Sequence, residues 1–510
     1  MLLRTTIIKT LLVAALAVSS VACLDKKPGQ AIDQDKAMTT FSDAEQVLTG
    51  IYNSLMSGAL FGGYLTLAPD IQADLVYAVN GYSNTYGDIW QWNIRGNDTY
   101  VESVYSALYT VIGRCNFFLD RVEKVRASLT SDDEVTVLDA YTGEVYLARA
   151  LAYSELIKCF CKAYESDEAA RNELGVVIRE KYGVEQTAER SSLYESMQFV
   201  LRDLEKAESL LDEDDDAYSN PYLSLAAAHA LHARTALYMC DWQTAIKYAT
   251  YCIDNKSFQL SNANSVAGYD SSGTAVNMFE YMWTYDIGYE LIFNIGYTYN
   301  NYGTATGQVF LNYTTDFTYF YPDYVPAQWV LNLYGSGDLR YYAYFASDAT
   351  VGYAHRLQWP LLVKYFGNID LIQNYRLYHV CEPKVFRLAE QYLIRAEARC
   401  RTKDFAGASS DLTTLRRNRM ASGYQLSVSE NGDWLQTISD ERVRELYMEG
   451  FRLNDLKRWG WGFERTPQSE SIESGSSLKV EAGAPLFVWP IPRHELEAPG
   501  SKVQPNESNS

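Results

Sequence analysis

The chain has 510 residues, 47% of them hydrophobic, enough apolar material for a large core spread over several domains or one extended array. Its 44 Lys and Arg stand against 64 Asp and Glu, a net charge of -20. That balance excludes nucleic acid as a partner, because neutralising phosphates requires a basic face.

Residues 1–22 read as a signal peptide. Arg4 and Lys9 form a short basic region, and the apolar run 11–18 is too short to span a bilayer as a mature helix. The run ends in Ser20-Val21-Ala22-Cys23, small residues before a cysteine, which predicts cleavage before Cys23 and lipidation of that residue. The alternative is an ordinary secretory cleavage near Ala22. Residues 23–40 form a stalk, and no later stretch is apolar for long enough to span, so anchorage through Cys23 without crossing the membrane is expected. Removing Cys23 leaves an odd number of cysteines, a poor disulfide framework. Cys159 and Cys161 are too close for a zinc knuckle, and no metal site is expected.

Residues 41–510 read as one body. A helix over 41–60 carries Ala44, Leu48, Ile51 and Leu55 on one face, after which 64–100 loses helical periodicity and gains Gly, Asn and aromatics, the pattern of a long loop. Helical spacing resumes over 105–160 and 193–211. The acidic run Asp212 to Asp216 imitates the start of a calcium loop, but Ala217 and Leu223 stand where such a loop needs Gly and Glu, which predicts a solvated turn. A helical hairpin over 225–254 is echoed by a second over 385–420. Ala233 precedes Asp241-Trp242 and Ala245 as Ala396 precedes Asp404-Phe405 and Ala408, and Tyr146-Leu147-Ala148-Arg149-Ala150 is echoed by Tyr392-Leu393-Ile394-Arg395-Ala396. Small and aromatic residues at these offsets let paired helices pack closely, as in tetratricopeptide solenoids. Residues 262–382 interrupt the array with loops and few short strands, and hold fourteen tyrosines between Tyr281 and Tyr344. The stretch Ser439 to Gly460 predicts one helix capped by Ser439, in which Glu441, Glu445 and Glu449 need positive partners. Trp489-Pro490-Ile491-Pro492 predicts an extended tail packed on the body.

No nucleophile elbow, P-loop or His-rich zinc motif is present, and His229 and His232 share a helix face without a third ligand. No catalytic residue and no cofactor are therefore expected. Aromatic, amide-rich loops stand out instead. A tyrosine or tryptophan offers a flat apolar face with a polar edge, matching the C–H faces and hydroxyl rims of sugars. The candidates are Tyr82, Tyr86, Trp90 and Trp92 with Asn80 and Asn84 in the first loop, and Tyr297, Tyr299 and Tyr302 with Asn300 and Asn301 in the second.

The chain resembles the SusD/RagB family of Bacteroidetes outer-membrane lipoproteins over essentially its whole mature length. The resemblance rests on the lipobox at Cys23, Tyr109-x-x-Ile112-x-x-x-Asn116, the helix around Arg149-Ala150, the 226–249 hairpin, Tyr392 to Ala398, Glu441-Arg442 to Trp459, and Trp489-Pro490-Ile491-Pro492. It implies a mainly α fold, tetratricopeptide-like helical pairs packed against an irregular loop-rich half that holds the ligand. It further implies a lipid-anchored outer-membrane protein, exposed at the cell surface, that binds oligosaccharide or polysaccharide for a SusC-like TonB-dependent transporter. The rival reading is a lipid-anchored helical-repeat protein binding peptides or a protein partner.

Overall fold

The computed structural model describes residues 37–183, 188–262, 264–269, 273–313, 320–346, 359–466 and 478–510; the expected signal segment and Cys23 lie outside them. Helix α1 (Phe41–Leu55) opens with a reciprocal cap in which Thr40 accepts from the Asp43 amide and Asp43 accepts from the Thr40 amide. The stretch 64–100 is not all loop. Helix α2 (Tyr64–Gln72) lies within it, and its positions 65 and 67–72 are all buried. A helix covered on every side has no polar face, so its period is invisible in sequence.

Helices α3 (Thr99–Leu119), α4 (Asp132–Phe160), α5 (Leu193–Glu208), α6 (Leu225–Tyr238) and α7 (Trp242–Asp254) follow. After the insertion, which includes the surface helix α8 (Ile369–Tyr375), come α9 (Leu388–Arg401), α10 (Phe405–Arg417), α11 (Trp434–Leu446) and α12 (Arg452–Trp459). Packing runs α1–α3–α4–α5–α6–α7 and then directly from α7 to α9, so the solenoid continues across the insertion. The repeat has a physical basis. Arg149 of α4 makes a two-pronged pair with Asp203 of α5 at 2.7 and 2.8 Å, and Arg395 of α9 does the same with Asp411 of α10 at 3.1 and 2.7 Å. Asp241 and Asp404 cap the second helix of each hairpin, and Ala245 and Ala408 are fully buried where the helices meet. Trp434, capped by Asp433, repeats the Asp-aromatic start a third time.

The stretch 439–460 is therefore two helices, not one, and Ser439 lies inside α11 rather than at its cap. Met448 and Gly450 adopt left-handed backbone in the break (φ 61° and 84°), and a Cβ on Gly450 would sit 2.3 Å from the Leu65 carbonyl oxygen. The Asp70 carboxylate accepts the Gly450 and Arg452 amides at 3.0 and 2.8 Å, filling the role of a cap from another element. The three glutamates have the partners their spacing demands. Glu441 meets Arg340 at 2.7 Å, Glu445 meets Arg419 and Arg387 at 2.9 and 3.0 Å, and Glu449 meets Lys364 and Arg387 at 2.7 and 2.8 Å, with every one of these side chains at most 6% exposed. Arg340, Lys364 and Arg387 come from the insertion and its return strand, so this network joins the loop half to the solenoid. Trp489 of the tail is buried, with Nε1 donating to Gln72 Oε1 at 2.8 Å. No described helix is long and apolar enough to cross a membrane.

The strands are short and paired in twos. Two pairs position the candidate site: β1 (Val76–Ala78) with β3 (Tyr324–Pro326), and β2 (Leu291–Asn294) with β4 (Lys384–Arg387), both antiparallel.

Candidate functional site

Each of the two candidate loops leaves the end of a buried strand. Beyond β1, the Val79 amide donates to Asp323 O at 2.9 Å, and Ser83 donates to the Asp323 carboxylate through its amide and hydroxyl at 2.6 and 2.7 Å. Burial raises the Asp323 carboxyl above its ordinary range against those two hydrogen bonds. The Tyr321 hydroxyl donates to Gly81 O at 2.9 Å and the Tyr324 hydroxyl to Thr85 O at 2.6 Å, so loop 79–86 is laced to the strand beside it.

This lacing redistributes the first set of candidates. Trp90 is fully buried, 0% exposed, with the Arg465 guanidinium 4.6 Å from its ring centroid and Tyr82 edge-on above it. Tyr86 is also buried, stacked on Tyr100 at 4.8 Å. Neither presents a face to solvent, which corrects their assignment as ligand platforms. Trp92 is half-buried, with Nε1 donating to Gln72 O at 2.6 Å and its ring against Phe487, where it packs the tail. Tyr82 and Asn80 are half-buried and Asn84 is exposed. The Tyr82 hydroxyl donates to Asn84 Oδ1 at 3.1 Å and accepts from Gln91 at 2.9 Å, leaving a polar rim of Tyr82, Asn84 and Gln91 above the buried Trp90.

The second set is more open. The chain leaves β2 at Gly296, and Tyr297 turns inward with its hydroxyl against Gly62 and Gly303, so it is a packing residue more than a platform. Its amide donates to Glu382 at 2.9 Å; burial, with the Asp286 charge beside it, pushes the Glu382 carboxyl up to about 7. Thr298 and Asn301 then close a tight turn by exchanging backbone hydrogen bonds at 2.9 and 3.2 Å, which lifts Tyr299 and Asn300 to its tip. Tyr299 is 53% exposed and Tyr302 38%. Asn301 is exposed and donates to Asn53 Oδ1 at 2.9 Å, fixing the turn on the end of α1.

Sequence reasoning missed the elements facing this turn. Tyr375 ends α8 and is 50% exposed, its ring stacked on Tyr299 with centroids 4.5 Å apart and planes 8° from parallel. Tyr378 is 51% exposed, and Tyr313, itself partly exposed, stacks on His379 and packs at a tilt against Phe320. The signal was present in Gln373-Asn374-Tyr375-Arg376-Leu377-Tyr378, two tyrosines following two amides. Among the described residues no cluster of three His, Cys, Asp or Glu is placed to hold a metal. His229 and His232 pack on Tyr248 instead, and His232 Nδ1 lies 2.7 Å from Glu208.

The fold and this surface define a class: a helical-repeat body carrying an open, aromatic and amide-lined loop face. Residues 24–237 match the SusD-like family described as starch-binding and associating with the outer membrane, and residues 346–504 match the SusD family. Together the two matches span most of the chain, which belongs to the SusD/RagB family. SusD-like protein P2 of Formosa agariphila is 24% identical over 484 residues, covering 89% of this chain and 91% of that protein. The starch-binding protein SusD of Bacteroides thetaiotaomicron is 38% identical over 97 residues, 17% of this chain and 16% of that protein. A SusD superfamily structure from Bacteroides thetaiotaomicron superposes with TM-score 0.76 at 24% identity, covering 92% of this chain and 99% of the other. A structure from Bacteroides vulgatus gives 0.75 at 22%, covering 93% and 100%.

Proposed function

We propose that this chain is a non-catalytic oligosaccharide-binding lipoprotein of the outer membrane, anchored through Cys23 and exposed at the cell surface, that passes its ligand to a SusC-like TonB-dependent transporter. The observation that carries the binding role is the exposed tyrosine surface of Tyr299, Tyr302, Tyr375 and Tyr378 with Asn300 and Asn301 among them. Flat rings with amides between them suit a neutral sugar, which offers C–H faces for stacking and hydroxyls for hydrogen bonds. Family membership supports the same reading, since the matching family is described as starch-binding and outer-membrane associated.

Isothermal titration of the mature protein with a panel of neutral polysaccharides and with a peptide digest tests the ligand class. Binding of a polysaccharide that Tyr302→Ala and Tyr378→Ala each weaken supports the proposal; heat from the peptide digest alone sinks it. Capture of the chain from detergent-solubilised outer membranes tests the partner, with a co-purifying TonB-dependent β-barrel as the expected result. Replacing Cys23 with Ser should release the protein from the membrane fraction.

A further inference from the structure

Tyr299 and Tyr375 come from distant segments and stack face to face in solvent. Among the described residues no hydrogen bond or ion pair joins their two tips; the rings themselves make the contact. The helix carrying Tyr375 buries none of its residues. It is held at its start, where Asn368 donates to Val380 O and to Asp286 at 2.8 Å each, and its end turns away through Arg376 in left-handed backbone (φ 58°). Tyr82, by contrast, is wedged against Trp90 and Tyr324 and its hydroxyl is tied on both sides. An exposed stack between two tips is a weak contact that parts readily.

A pyranose ring fits between two such faces under one chemical condition. When all its substituents are equatorial, axial C–H bonds project from both faces, and each face stacks on an aromatic ring. An axial hydroxyl places a polar group on one face and spoils that half of the sandwich. Asn300, Gln373 and Asn374, exposed neighbours of the two tyrosines in the chain, carry amides suited to equatorial hydroxyls. We infer that Tyr299 and Tyr375 form a clamp that parts to take one pyranose ring between them, selecting β-linked gluco- and xylo-configured sugars over galacto- and manno-configured ones. This rests on the glycan-binding reading above.

The test is isothermal titration of the mature protein and of Tyr299→Ala, Tyr375→Ala and Tyr375→Phe. The probes are the β-1,4-linked cellohexaose and xylohexaose, against β-1,4-linked mannohexaose and galactohexaose. The clamp predicts binding of at least one gluco or xylo probe, weakened roughly tenfold or more by either alanine variant and kept by Tyr375→Phe. It also predicts mannohexaose and galactohexaose at least roughly tenfold weaker on the wild type, a factor worth about 1.4 kcal/mol. If Tyr375→Ala binds as well as or better than the wild type, the ring merely covers Tyr299 and the clamp is wrong, while glycan binding stands. Equal binding of mannohexaose or galactohexaose overturns the selectivity. If no polysaccharide or oligosaccharide binds the wild type, the function and the clamp fall together. Both tyrosines are exposed, so unchanged melting temperatures are expected to confirm that all variants fold.

Discussion

What lies behind an aromatic ring decides its role. Trp90 and Tyr299 both sit among Gly and Asn in sequence, yet one is fully buried under Tyr82 and the other lifts off a two-residue turn tip. Trp90→Ala is therefore expected to lower unfolding free energy by roughly 3–5 kcal/mol in urea titrations, whereas Tyr299→Ala should stay within about 0.5 kcal/mol of the wild type. The two outcomes reversed would mean that the burial assignments are wrong. Composition singled out both loops but did not separate these cases, because burial of Trp90 depends on Tyr324 and Arg465, far away in the chain. Charge behaves similarly at this scale. Burial alone would raise the Glu397 carboxyl, but Arg458, paired with it through two 2.6 Å hydrogen bonds, and Trp459 at 2.9 Å outweigh that and hold it down to about 2. A carboxylate depressed in the folded state stabilises above its ordinary pKa of about 4.3, and the contribution fades as pH falls towards about 2. Urea titrations at pH 7 and pH 2.5 should show the wild type losing on the order of 2 kcal/mol more than Glu397→Gln across that interval. Parallel losses in the two proteins would show that Glu397 does not carry this acid sensitivity.

Among the elements, the break between α11 and α12 shows how tertiary structure overrides a helical pattern. The sequence 439–460 keeps a helical apolar stripe throughout, yet the chain turns at 447–451 because Asp70, Lys364 and Tyr365 supply partners to its backbone: Lys364 donates to Tyr447 O and the Tyr365 hydroxyl to Met448 O, each at 2.7 Å. Nothing local foretells partners from residues 70 and 364–365, and Gly450 was the one visible sign of a turn. Gly450→Ala, strained in backbone and in contact with Leu65 O, should cost at least about 2 kcal/mol, measurable as a lower urea midpoint; an unchanged midpoint would show that the turn tolerates a side chain. Glu445→Gln leaves Arg387 and Arg419 buried beside a neutral amide and should cost roughly 3–5 kcal/mol, provided the network is as dry as its burial indicates. A loss below about 1 kcal/mol would argue for water in the network.

Over the whole molecule, the solenoid was the legible part. Arg149 and Arg395 recur with the same neighbours because each pairs with an Asp on the next helix, and Asp241 and Asp404 recur because each caps the second helix of its own hairpin. Such constraints act within one hairpin, so they leave a local trace. The proposed ligand face leaves little, since it is assembled from segments around residues 82, 299, 313 and 375 whose association depends on the complete fold. The family resemblance drawn from the solenoid motifs is matched by the SusD-like and SusD family relationships, while the candidate aromatic residues required the structure to sort buried from exposed. In this arrangement the solenoid and its buried charge network hold a rigid platform, and the loops present the tyrosines. The most direct test is affinity electrophoresis in native gels containing neutral polysaccharides, comparing the mature protein with Tyr299→Ala/Tyr302→Ala/Tyr378→Ala. The account predicts that at least one polysaccharide retards the wild type and that the triple variant runs like a non-binding control. Equal retardation of both proteins would contradict the placement of the glycan on this face.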